Sequence, residues 1–175
     1  DKIVSLFEDK SGVIWVGDIS GGVNRLDRVN DTFKHYIRTI PCKNLFEDSE
    51  GILWIGTSAG LYRYHPKEDK FLPFFDPESD VGHLDIINII EDDERNLWMH
   101  NTSELIRVNR ATKETYVYST KFGVAENSLI PLGFYKNRKG ELVLNHQKGF
   151  YTFYPEDLAV KVHPLNIILT DFFIN

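Results

Sequence analysis

Residues 47–56, EDSEGILWIG, decide the fold, because the chain writes them more than once. The same order opens at residues 8–17 (EDKSGVIWVG) and at 91–100 (EDDERNLWMH), with a tryptophan six positions after the aspartate. A worn fourth copy at 136–145, KNRKGELVLN, puts Val143 where Trp15, Trp54 and Trp98 stand in the others. The anchors fall at positions 15, 54, 98 and 143, so they recur after 39, 44 and 45 residues. A near-fixed period of this length means one supersecondary unit arrayed several times.

Aligned on the anchor, each copy breaks into short segments. The first is Ile3–Asp9, Cys42–Asp48, Ile86–Asp92 and Pro131–Asn137, each with a polar or glycine position (Ser5, Asn44, Asn88, Gly133) before two apolar ones. The second carries the anchor. The third is Val23–Asp27, Leu61–His65, Leu105–Asn109 and Phe150–Tyr154, and the fourth is Phe33–Tyr36, Phe71–Phe74 and Thr115–Tyr118. Runs of four to seven β-branched and aromatic residues, punctuated by Gly, Asn and Asp, read as strands. Sustained helical periodicity is missing, apart from one turn near Pro155–Leu158. Four antiparallel strands in each repeat of this length make a β-propeller blade, so the expected fold is all-β, four four-stranded blades. The blades should span about 1–41, 42–85, 86–130 and 131–160.

Turn chemistry fits the same unit. Asp9…Gly12, Asp48…Gly51 and Asn137…Gly140 offer a polar first position and a glycine for positive φ. Arg25, Arg63 and Arg107 recur at one register of the third strand. Each is read as a stem packed on the neighbouring strand, with its head in water or on a carboxylate. The tryptophans are read as repeated core between blades, since a ring at one place in every copy is what a repeated interface requires.

Bulk properties exclude several functions. The chain has 42% hydrophobic and 13% aromatic residues, a globular composition. Its net charge of −6 would repel a phosphate backbone, so nucleic acid is not an expected partner. Cys42 is the single cysteine and allows no internal disulfide. The six histidines lie far apart, without i, i+2 or i, i+4 pairs, so neither a metal site nor another cofactor is expected. Gly56-Thr57-Ser58-Ala59-Gly60 matches the G-x-S-x-G nucleophile pattern, but that motif needs a following helix and here a strand follows. Ser58 is read as a turn residue, and no catalytic residue is assigned.

The units at 6–27 (LFEDKSGVIWVGDISGGVNRLD) and 45–66 (LFEDSEGILWIGTSAGLYRYHP) resemble the two-component-regulator propeller repeat. Residues 140–158 (GELVLNHQKGFYTFYPEDL) are similar to its last repeat. The tail 163–175 (HPLNIILTDFFIN) resembles the first strand of the immunoglobulin-like domain that follows, so 161–175 is expected to be an exit strand. The resemblance implies a periplasmic sensor segment of a hybrid two-component receptor, not itself an enzyme, with an oligosaccharide ligand. Its other partners would be the remaining blades and the next domain. A structural interaction propeller and a propeller glycosidase or lyase stay open as alternatives, because one fold hosts all three uses.

Blade geometry places a site within the resemblance. Loops between second and third strands share a rim with the connectors between blades, and that rim has the irregular lengths. Asp18, His100, Asn101, Asn145, His146 and Gln147 lie there and are the expected ligand contacts, with Phe75 or Phe122 stacking on a sugar. The opposite rim holds the Asp-x-x-Gly turns and is expected to be acidic. Open blade flanks and the apolar tail lead to an expectation of self-association.

Overall fold

Each alternating segment becomes a strand, and each Asp-x-x-Gly or equivalent turn becomes a hairpin. The structure, a computed structural model, describes residues 2–119, 129–147 and 149–159. The first sheet runs β1 (Ile3–Glu8), β2 (Ile14–Asp18), β3 (Gly22–Asp27) and β4 (Thr32–Tyr36), in that spatial order. The second repeats it with β5 (Cys42–Glu47), β6 (Leu53–Thr57), β7 (Gly60–His65) and β8 (Lys70–Pro73). The third holds β9 (Asn88–Glu91), β10 (Asn96–His100), β11 (Leu105–Asn109) and β12 (Thr115–Tyr118). The fourth has three strands among the described residues: β13 (Leu129–Lys136), β14 (Leu142–His146) and β15 (Gly149–Phe153). A short helix, α1 (Pro155–Ala159), follows where the sequence suggested one turn. The exit strand expected at 161–175 lies outside the described residues.

Register confirms the repeat residue by residue. Trp15 pairs with Phe7 and Arg25, Trp54 with Phe46 and Arg63, and Trp98 with Arg107. Val143 takes the same place between Tyr135 and Thr152. The three tryptophans are buried, at 2%, 1% and 0% exposure, whereas Val143 is half-buried. Over each ring, and not simply in water or on a carboxylate, stands the recurring arginine: Arg25, Arg63 and Arg107 lie 5.9, 5.8 and 5.9 Å from the ring centroids. Such a cation–π contact adds about 0.5–2 kcal/mol to the packing of the stem.

The aspartate of each turn does more than bend the chain. Trp15 Nε1 donates to Asp9 Oδ2 at 2.8 Å, Trp54 to Asp48 at 2.7 Å and Trp98 to Asp92 at 2.7 Å. Oδ1 of Asp48 also accepts the backbone N–H groups of Glu50 and Ile52, both at 2.9 Å. A buried indole N–H needs an acceptor, and this one comes from its own repeat. The acidic rim is therefore thinner than expected, because Asp48 and Asp92 are buried at 1% and 2% exposure. Where the tryptophan is lost, the aspartate is lost with it: Asn137 stands before Val143 and turns its amide to Glu141 at 2.7 Å. The turn glycine adopts positive φ in three copies, as at Gly51 (φ 78°), and Arg95 adopts it in the third without a glycine (φ 65°).

Contacts divide the chain into two units, one ending at Ile89 and the other starting at Ile90, with the division inside β9. In the first unit the tryptophan side of the first sheet packs on the second. Trp15, Val23 and Tyr36 join Leu45, Leu53, Ile55 and Phe71 in one core. In the second, Trp98, Leu105 and Tyr118 join Leu142, Leu144 and Tyr151 in the equivalent arrangement.

Candidate functional site

Hydrogen bonds tie the connectors to the second-to-third-strand turns, so both occupy one rim as the blade geometry requires. Ser58 N donates to Pro41 O at 3.2 Å, Ile86 N to Thr57 O at 2.9 Å, and Leu129 N to Thr102 O at 3.1 Å. Ser58 itself is exposed in a turn that closes through Thr57 Oγ1 to Gly60 O at 2.8 Å, and β7 follows it directly. No helix follows, so the nucleophile elbow is not built.

Most of the candidate residues fall on the rim of the second unit. Asn101 is half-buried and committed to its turn: Oδ1 accepts Ser103 N at 2.8 Å and Glu104 N at 2.7 Å, and Nδ2 donates to Glu104 at 2.7 Å. His100 is sealed from solvent, with Nδ1 2.9 Å from Asn101 O and its ring edge-on to Phe134 at 5.5 Å. Burial holds its pKa below the ordinary histidine value. His146 is also buried and stacks on Tyr151 at 4.5 Å. These two histidines are core groups beneath the rim rather than ligand contacts. Gln147 is exposed and Asn145 half-exposed.

This junction is built differently from its counterpart in the first unit. There, glycine sits on the second strand (Gly17) because the first strand of the next sheet passes close: a Cβ at Gly17 would lie 2.7 Å from Cys42 Sγ. Ser5 and Asn44 face Gly17 and Gly56 across their sheets. In the fourth sheet the pair is inverted. Gly133 (φ 96°) lies on the first strand, and a Cβ there would run into the amide of Asn145 on the second. The register of β13 on β14 slips between Leu129 and Phe134, and His100 rests on that bulged strand. The sequence marked the polar-or-glycine position but not its exchange across the strand pair.

Asp18, the candidate in the first unit, is 8% exposed and accepts Ser20 N at 2.7 Å and Lys2 N at 3.2 Å. These bonds, led by that from Ser20, lower its pKa. It borders a groove of about 400 Å³ lined by Ile3, Val16, Asn24, Phe33, His35 and Arg38. Phe75, expected to stack on a sugar, is buried against Phe74 at 4.9 Å and is not presented. Phe122 lies outside the described residues, as do Lys148 and most of the connector 119–130. Among the described residues no group of three or more His, Cys, Asp or Glu is arranged to hold a metal.

One polar centre was invisible to the sequence reading. Asp69, in the β7–β8 turn, receives Lys34 Nζ, Tyr64 OH at 2.5 Å, Tyr36 OH at 2.7 Å and Arg25 at 3.4 Å. Three of those donors come from the first sheet, so the carboxylate clamps two blades together. The Lys34 ammonium, then the Tyr64 hydroxyl, hold its pKa far below the usual carboxylate range.

The family model for the two component regulator propeller matches residues 39–59, which span the connector, β5, β6 and the following turn. Among solved structures, the extracellular domain assigned to a hybrid two component system of B. thetaiotaomicron is 21% identical with a TM-score of 0.76. The match covers 89% of this chain and 22% of that one. The extracellular domain assigned to a one component system of the same organism is 22% identical with a TM-score of 0.72, covering 89% and 23%. Virginiamycin B lyase from Staphylococcus aureus is 13% identical with a TM-score of 0.67, covering 88% and 53%. At these identities the likeness establishes the propeller fold. The chain spans less than a quarter of the two extracellular domains. A comparison with curated proteins finds no match. Among the described residues no helix is long and apolar enough to cross a membrane.

Proposed function

We propose that this chain, which carries the two component regulator propeller repeat, is part of the extracytoplasmic sensor of a hybrid two-component receptor and takes an oligosaccharide. The observation that supports this reading is the repeat itself. The Glu-Asp…Trp unit is matched by the family model at residues 39–59, and the fold is shared with two extracellular domains assigned to bacterial signalling systems. In this reading the segment is a periplasmic binding element and not an enzyme. Its contribution to signalling is a difference in ligand affinity between two receptor arrangements, the one quantity that can shift such an equilibrium.

The rim of the second unit is the proposed contact surface there. Asn145 and Gln147 offer amide donors and acceptors to sugar hydroxyls. Asn101 fixes the adjacent turn, and His100 and His146 support the rim from beneath. Asp18 adds a carboxylate to the groove of the first unit. Titration calorimetry against a panel of glycan fragments, run beside a product assay, tests the reading. Binding without turnover supports it, and Gln147→Ala then weakens binding while Asp9→Asn leaves it unchanged. Turnover, or binding that Asp9→Asn abolishes, overturns it.

A further inference from the structure

The second sheet turns two consecutive polar side chains the same way. The register of β5 on β6 slips between Cys42 and Asn44, so Lys43 is the extra residue of a bulge. Cys42 and Leu45 pack towards the first sheet, whereas Lys43 and Asn44 both reach the segment that leads into β9. Lys43 Nζ donates to Asp85 Oδ2 at 2.6 Å, and Asn44 Nδ2 donates to Asn88 Oδ1 at 3.1 Å. All four residues belong to the first unit. They stand beside its connector rim, where Ser58 N meets Pro41 O and Ile86 N meets Thr57 O. The bulge does not itself require this chemistry: β1 slips at the same place, between Ile3 and Ser5, and carries Val4 and Ser5 there. Two oxygens of the group, Asn44 Oδ1 and Asp85 Oδ1, are buried and receive no hydrogen bond among the described residues. A buried acceptor without a donor costs about 1–3 kcal/mol. The side chains around them are within reach of solvent, since Lys43 is 24% and Asp85 42% exposed and Asn44 is half-buried. The terminal torsions of Asn and Asp are broad, so a small rotation turns each oxygen towards an incoming donor.

We propose that Lys43, Asn44 and Asp85 form a subsite for a neutral sugar and hold two of its adjacent hydroxyl groups. The proposal rests on the reading of the chain as an oligosaccharide sensor and names the class of sugar. A hydroxyl donates one hydrogen bond and accepts others. One sugar hydroxyl donates to Asp85 Oδ1 and its neighbour donates to Asn44 Oδ1. The Lys43 ammonium has three N–H donors, of which one is on Asp85, and another serves a hydroxyl oxygen. Charge sets the class. Lys43 and Asp85 cancel and the amides are neutral, so a sulfated or carboxylated sugar gains no net attraction and meets the Asp85 carboxylate. The chain's net charge of −6 acts in the same direction.

The test follows side-chain amide NMR signals of the full chain during titration with the methyl glycosides of glucose, galactose and mannose, and with methyl glucuronide. The Asn44 signal, identified by its loss in Asn44→Ala, should move with at least one neutral glycoside and stay in place with the glucuronide. Asp85→Asn should weaken that neutral glycoside by about tenfold, through loss of a charge-assisted hydrogen bond. The same variant should let the glucuronide move the Asn44 signal, because Lys43 is then unopposed. An Asn44 signal indifferent to every neutral glycoside overturns the proposal. So does equal movement with the glucuronide, or an Asp85→Asn variant that binds like wild type. The Asn145 and Gln147 signals separate this outcome from the wider reading. Movement there with Asn44 unmoved sinks the subsite alone, and movement at none of the three sinks both. Movement at Asn44 alone keeps the subsite and removes the rim of the second unit from the contact surface.

Discussion

Exchanging the Asp48–Trp54 pair in steps tests whether each blade is held by its internal hydrogen bond. Trp54→Phe keeps most of the ring but removes the N–H that reaches Asp48 Oδ2 at 2.7 Å. A hydrogen bond to a carboxylate on a residue 1% exposed is then lost, which costs about 2–3 kcal/mol, with about 1 kcal/mol more for lost ring volume. Asp48→Asn leaves Oδ1 for the N–H groups of Glu50 and Ile52 but points an amide nitrogen at the indole N–H. Two donors face to face should cost about 1–3 kcal/mol. Together the substitutions remove the clash, since phenylalanine has no N–H. The pair should therefore cost at least about 1 kcal/mol less than the two singles added. Guanidinium unfolding measures this, with Trp15 reporting on the unit that holds the substitution and Trp98 on the other. Additivity within about 0.5 kcal/mol, or a Trp54→Phe effect smaller than that, would refute the reasoning.

Further tests address other parts of the molecule. Trp54→Ala should cost about 3–5 kcal/mol by the same assay, because the cavity lies between strands that cannot close on it. Ser58→Ala should stay within about 0.5 kcal/mol of wild type and change no activity, as a surface-turn residue does; loss of an activity at unchanged stability would revive a catalytic serine. Gly133→Ala should destabilise by about 1–3 kcal/mol, from its positive φ and the amide of Asn145, and Asn145→Gly should relieve part of that in thermal melts. Asp69 is ionised far below its unfolded value of 3.8. Its contribution is therefore full above that value and fades as pH falls towards the lowered one. The melting-temperature gap between wild type and Asp69→Asn should narrow from about pH 5 to about pH 2; a constant gap would mean the clamp owes nothing to charge.

The repeat made the fold legible because periodic residues report periodic packing. Trp15, Trp54 and Trp98 could be placed in the core from register alone; Arg25, Arg63 and Arg107 were placed at one register, but their heads were expected in water or on a carboxylate and not over the indole rings. Contacts between copies were not legible in the same way. Asp69 looks like any turn residue until strands from a neighbouring sheet bring Lys34, Tyr36 and Arg25 to it. The turns and connectors do meet on one rim as expected, but the two histidines assigned to it are buried. His100 occupies the place of Gly17 and Gly56, and the space a glycine leaves in the first unit is filled by an imidazole in the second. One available signal went unused: aspartate and tryptophan disappear together at Asn137 and Val143, which pairs them without any structure.

The indole bond of each repeat closes within a single hairpin, six residues from donor to acceptor. Its satisfaction does not wait for a neighbour, so a nascent chain can stop after any hairpin without hiding an unanswered N–H. A gene segment encoding one such hairpin can be copied, moved or deleted and still produce a self-consistent piece. Only the carboxylate at the outer turn must then be matched to whatever blade comes next. Genetic duplication, on this view, is buffered at the indole and scrutinised at the turn.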